Sequence, residues 1–239
     1  MLLSYSHKFI FFHVTKAAGT SVKKALQNYS QEPEQFKIRR PPKLLHNQLN
    51  PLYEMWESCL WHAKAKEVKK ELTEEVYNNF YKFAFVRNPW DWQVSMYYFI
   101  LKETSHIRHE LVKSMSGFEE YLEWVIDTKN PYPKGATKFQ KDIITDYDGK
   151  LIVDFVGRYE TLLQDFQYIC QLLNLDASTP HLNSSNHRDY RSYYNGKTRR
   201  IVEEYFQEDI ELFGYTFDGY QFQTGQVGQI DNNLVNYQI

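Results

Sequence analysis

FIFFHVTKAAGTSVKKAL, residues 9–26, joins an apolar run to an amphipathic helix through a turn that carries one lysine and one glycine. An unbroken apolar run is the pattern of a strand buried on both faces of a parallel sheet. Gly19-Thr20-Ser21 then supplies helix N-terminal chemistry. The unpaired amides of the first helical turn, the positive end of the helix dipole, two hydroxyls and the Lys16 ammonium converge on one anionic group. The stretch therefore predicts a phosphate cradle.

The same grammar recurs downstream. YKFAFVRNPWDWQVSMYYFI, residues 81–100, predicts a buried strand at Phe83–Val86 with Arg87 at its carboxyl end and a helix opened by Pro89, whose missing N–H is harmless in a first turn. Ser95 faces back toward the strand end. Cys59-Leu60-Trp61-His62 reads as a short buried strand ending in His62, before a charged helix from Ala65 to about Tyr77. Ligands of open parallel α/β sheets sit beyond the carboxyl ends of the strands, so Lys16, His62 and Arg87 are expected to share one crevice.

The rest of the chain is read as support for that crevice. A stripe through Phe118, Tyr121, Leu122, Val125 and Ile126 predicts a helix, and Asp148-Gly149 between Ile143-Ile144 and Leu151–Val153 predicts a hairpin. Residues 154–160 predict a further strand leading into a helix whose Leu162, Leu163, Phe166, Ile169, Cys170 and Leu173 belong to the core, with Glu160 as a helix-start charge. A polar loop carrying His187, Arg188 and Tyr190 is a candidate to close over a ligand, and a last helix is expected over residues 198–213. The basic cluster Lys37, Arg39, Arg40 and Lys43 lies in a long polar excursion of the kind that forms substrate edges.

Composition narrows the class. At 239 residues, 42% of them hydrophobic, the chain can bury one sizeable core, and no linker divides it. A formal charge of −2 gives no field that favours nucleic acid or an anionic membrane. The first strand starts too early for a signal peptide and no apolar run is long enough to span a bilayer, so a soluble, cytoplasmic protein is expected. Cys59 and Cys170 read as reduced, buried thiols.

The cradle is not that of a nucleoside triphosphatase. Such a loop needs its lysine immediately before the Ser/Thr, so that the lysine reaches the terminal phosphates while the hydroxyl holds magnesium. Lys16 lies four residues ahead of Thr20, and no apolar strand ends in an aspartate suited to holding a metal. A donor whose transferred group is less charged than a phosphoryl group fits better. A P-loop-type nucleotide kinase, and a non-catalytic nucleotide- or glycan-binding module, stay open as alternatives.

HVTKAAGTS, residues 13–21, resembles the 5′-phosphosulfate-binding loop of sulfotransferases that use 3′-phosphoadenosine 5′-phosphosulfate (PAPS). FVRNPWDWQVSMYY, residues 85–98, resembles their 3′-phosphate-binding segment, and VDFVGRYETLLQDFQYICQLLNL and IVEEYFQEDIELFGYTF resemble carboxyl-terminal segments of the carbohydrate-type branch. The resemblance spans about residues 8–218. It implies an α/β, P-loop-NTPase-like three-layer fold with a central, mostly parallel sheet flanked by helices. Residues 1–219 then form one domain and residues 220–239 an extended or partly ordered tail.

The resemblance also implies roles. Lys16 contacts the 5′-phosphosulfate and steadies the bridging oxygen as the sulfur–oxygen bond breaks. Ala18, Gly19, Thr20 and Ser21 wrap the 5′-phosphate, while Arg87 and Ser95 hold the 3′-phosphate. His62 is the candidate general base. The implied donor is PAPS, leaving as 3′-phosphoadenosine 5′-phosphate (PAP), with no metal required, and the acceptor is a hydroxyl, expected on a glycan. The chain departs from the family pattern at Thr15, where relatives carry proline, and at Ala17-Ala18, where they carry two glycines. A methyl group at Ala18 restricts a turn that glycine geometry otherwise serves.

Overall fold

The computed structural model describes residues 1–30, 44–45, 48–49, 61–132, 136–178 and 188–221. Its main sheet has the order β1-β2-β5-β6, with β1 (Leu2–Ser4), β2 (Phe9–Phe12), β5 (Tyr81–Val86) and β6 (Phe155–Arg158). β1 runs antiparallel to β2 as an edge that the apolar-run reading did not predict, while β2, β5 and β6 are parallel. Two short strands, β3 (Leu44–Leu45) and β4 (Gln48–Leu49), pair separately.

Alternation along the strands divides the core into layers. Phe9, Phe11, Phe83, Phe85 and Phe155 meet Val22 and Leu26 of α1 (Gly19–Leu26) on one face. Ile10, Phe12, Ala84, Val86 and Val156 meet, on the other face, Ala65 and Val68 of α2 (Ala65–Glu71) and Tyr77 of α3 (Glu74–Asn79). That is the expected three-layer α/β arrangement. A third cluster joins Trp92, Met96 and Ile100 of α4 (Pro89–Lys102) to Tyr121, Leu122 and Val125 of a later helix, with α5 (His109–Lys113) beside them and α6 (Phe118–Asp127) as that helix.

Several local expectations are corrected. Trp61 is helical and His62 lies in a turn, so no strand ends there; Cys59 and the cluster Lys37–Lys43 fall outside the described residues. The helix expected over residues 65–77 is broken into α2 and α3 because Thr73 turns extended and caps the second piece, its hydroxyl accepting from Val76 N–H. Ile143-Ile144 belong to the short helix α7 (Lys141–Ile144), and the predicted hairpin reduces to a single Thr145–Leu151 bridge around the Gly149 turn.

In α8 (Leu162–Leu172), Phe166, Ile169 and Cys170 are buried as expected, but Leu163 is 60% exposed. The last helix divides into α9 (Gly196–Tyr205) and α10 (Gln207–Phe213) at the buried Phe206, and a two-strand ribbon, β7 (Tyr215–Thr216) with β8 (Gly219–Tyr220), follows. Residues 222–239 lie outside the described residues. Among the described residues no helix is long and apolar enough to cross a membrane.

Candidate active site

The turn between β2 and α1 rests on two left-handed residues, Lys16 at φ 60° and Ala18 at φ 61°. Such a conformation costs about 1–2 kcal/mol for a residue with a Cβ, so the surroundings must hold it. They do so from β5 and α4: Trp92 Nε1–H of α4 donates to Thr15 O at 2.6 Å, and Nη1–H of Arg87, just past β5, to Lys16 O at 3.3 Å. Gly19 is required for a different reason. A Cβ there would lie 1.7 Å from His13 Cδ2, because the buried imidazole packs flat against the first helical residue. The first turn of α1 carries no acidic residue, so its positive end is uncompensated. Ser21 is buried at this end and Thr20 is exposed.

Lys16 reaches across to α4, its ammonium 4.5 Å from the centre of the Phe99 ring. Burial first, then the charges of Arg87 and Lys102, lower its pKa from 10.5 to about 8. Phe99 belongs to a row at helical spacing, with Asp91 and Ser95 each four residues before the next, and Arg87 precedes Asp91 by four. Arg87, 3% exposed, donates Nε–H to Asp91 Oδ2 at 2.6 Å and lies 4.0 Å above the Tyr159 ring. Ser95 is buried, and its Oγ has no hydrogen-bond partner among the described residues. Asn88 caps α4 by accepting from Trp90 N–H at 3.0 Å, with Pro89 in the first turn as expected.

His62 reaches the same loop from its turn. Its Nδ1 lies 3.2 Å from His13 O and 3.3 Å from Thr15 Oγ1. Burial pulls its pKa from 6.5 to about 4 against the opposing pull of the His13 carbonyl, so the ring is neutral near pH 7. The His13 ring, 4.9 Å away, is also held neutral by burial. Arg87, Trp92 and His62 thus contact one loop that carries Lys16, Ala18, Gly19 and Ser21, and Ser95 lies one turn beyond Trp92 on α4. His187 lies outside the described residues; Arg188 is exposed, and Tyr190 donates its hydroxyl to Phe217 O, away from the loop.

Some supports of the site were not read from the sequence. Asp91 and Trp92 sit within the quoted motif, and the four-residue spacing from Arg87 to Asp91 was a usable signal. Gln140 and Tyr159 had none, since they arrive from distant elements. Glu160 does more than charge a helix start: an exposed residue just ahead of α8, it turns its carboxylate inward, accepting Asn88 N–H at 2.7 Å and the Tyr215 hydroxyl at 2.8 Å, with its pKa raised by desolvation. Asn88 Nδ2–H in turn bonds Thr216 O at 2.9 Å and ties the β7–β8 ribbon to the same turn.

The match to a family model agrees with the motifs. Among curated proteins none matches the chain. Among solved structures, mouse sulfotransferase SULT7A1 complexed with PAP is similar at 15% identity and a TM-score of 0.48, over 87% of this chain and 86% of that one. The profile of the sulfotransferase family matches residues 1–216, nearly the whole length. The chain belongs to the sulfotransferase family.

Proposed function

We propose that the protein moves the sulfuryl group of PAPS to a hydroxyl of an acceptor by in-line displacement without a metal, and that the acceptor is a glycan. The observation that carries this reading is the bond from Arg87 Nη1–H to Lys16 O, which joins two predicted donor-binding segments 71 residues apart. The residues fit an anionic donor with two charged ends. Lys16 and the uncompensated end of α1 suit the 5′ end, and Arg87 with the unpartnered Ser95 hydroxyl suits the 3′-phosphate.

When bound, PAPS supplies an activated sulfuryl group on a good leaving group. Lys16 and the α1 amides meet the charge that develops on that leaving group, and Arg87 with Ser95 holds the nucleotide in line. Neutral His62 takes the acceptor proton as the hydroxyl attacks. Support for a glycan comes from the partly exposed rings of Tyr97 and Tyr98, two and three residues beyond Ser95, and of Tyr193, which packs against Tyr98; they offer apolar faces to a sugar.

Titration calorimetry tests the donor. PAP is expected to bind without magnesium and much more tightly than AMP, whereas a preference for magnesium-ATP would overturn the reading. Lys16→Ala is expected to lower the rate ~100- to 1000-fold with the fold intact. Labelled PAPS offered to a panel of glycans and small alcohols then identifies the acceptor, and label entering only the alcohols would refute the glycan assignment.

A further inference from the structure

Arg87 lies one residue past the end of β5, where the sheet no longer pairs its backbone. A side chain pairs it instead. The Gln140 carboxamide accepts Arg87 N–H through Oε1 at 2.9 Å and donates Nε2–H to Arg87 O at 2.8 Å, so one side chain satisfies both backbone groups as a neighbouring strand would. The orientation of the amide follows from its partners, because the backbone N–H only donates and the carbonyl only accepts.

Gln140 is itself immobilised. It is 1% exposed, and Asp209 of α10 accepts both its backbone N–H, at 2.8 Å, and that of Lys141, at 2.9 Å. The far end of Arg87 is fixed by Asp91 and Tyr159, and Gln140 fixes the near end. A bidentate contact to phosphate tolerates little displacement, so the position of the Arg87 Cα sets whether the guanidinium meets its ligand squarely.

We propose that Gln140 is a positioning residue for recognition of the donor's 3′-phosphate, acting through the backbone of Arg87. The proposal rests on the assignment of Arg87 to the 3′-phosphate made above. Gln140 holds the guanidinium in register for that phosphate and has no part in sulfuryl transfer. Glutamate is the informative replacement: nearly isosteric, it still accepts from Arg87 N–H but sets a carboxylate oxygen against Arg87 O.

The test is calorimetric titration of PAP and of AMP, which lacks the 3′-phosphate, into the full chain and its Gln140→Glu, Gln140→Met and Arg87→Ala variants. Gln140→Met keeps the volume and adds no charge, so it serves if the glutamate variant does not fold. Both Gln140 variants are expected to weaken PAP about tenfold and AMP less than about twofold, moving the PAP-to-AMP ratio toward that of Arg87→Ala. Equal weakening of both ligands would show a merely structural role and overturn the proposal. So would an unchanged ratio in both Gln140 variants while Arg87→Ala loses it. If Arg87→Ala itself keeps the wild-type ratio, the 3′-phosphate assignment falls and the proposal falls with it, a pattern distinct from the other two.

Discussion

His62 Nδ1 lies 3.2 Å from the carbonyl oxygen of His13, and this contact selects the tautomer. A carbonyl only accepts, so the proton resides on Nδ1 and the lone pair on Nε2. Nε2 is thus the atom on which the proposed general-base role falls.

His62→Ala is expected to reduce kcat ~100- to 10,000-fold while PAP affinity, read by calorimetry, changes little. His62→Asn, which restores a donor toward the His13 carbonyl but no base, should be as slow as the alanine variant. An unchanged rate in either removes His62 from the mechanism.

The pH profile of kcat/KM reports the free enzyme. Burial of His62 moves its titration to about 4, and burial of Lys16, with Arg87 and Lys102 near it, moves that ammonium to about 8. The expected profile is flat between these values, falling on the alkaline side as Lys16 loses its charge. Lys16→Arg should abolish the alkaline limb whatever its maximal rate, since guanidinium does not titrate there. A wild-type acid limb near 6.5 would show that His62 is solvated.

Asp209 links stability to pH. Burial raises its carboxyl from 3.8 to about 7, outweighing the two amides that favour the ionised form; Asp142 adds to the rise and Lys141 opposes it. The neutral acid is favoured in the fold, so its contribution to stability is fully present below about 3.8 and is lost as pH rises to about 7. The amount is on the order of a few kcal/mol. Thermal midpoints should therefore fall between pH 4 and pH 7 more steeply in the wild type than in Asp209→Asn, and parallel curves would refute the assignment.

Two adjacent substitutions should act in opposite directions. Gly19→Ala drives a Cβ into the His13 ring and is expected to destabilise by about 1–3 kcal/mol. Ala18→Gly relieves a left-handed residue and is expected to stabilise by about 0.5–1 kcal/mol. Denaturant midpoints measure both, and a neutral Gly19→Ala would mean that the His13 ring yields freely.

What the sequence disclosed and what it hid follow from the range of each signal. The strand–turn–helix units at residues 9–26 and 81–100 were legible because burial on two faces, proline in a first turn and a basic strand end are local properties. The restraint at Ala18 was legible too, as a methyl group in a turn suited to glycine, and the structure places that residue in the left-handed region. His62 was placed on a strand because a short apolar run has the same composition in a helical turn. Gln140, Tyr159 and Asp209 carried no pattern, since their roles exist only once α7, β6 and α10 have packed around β5. The polarity of Glu160 suggested a solvated helix start, and only tertiary contact shows it holding the Asn88 amide.

Arg87 grips Lys16 by its carbonyl oxygen, so the two cations proposed to face opposite ends of the donor are tied through one backbone contact. On the proposed reading, a donor engaged at one end meets the other at the high effective concentration of an intramolecular step. The nucleotide is then held as a chelate: its affinity should exceed what two separate halves, supplied together, achieve. On the same reading PAP, which lacks the sulfuryl group, should be held less firmly at the Lys16 side than PAPS.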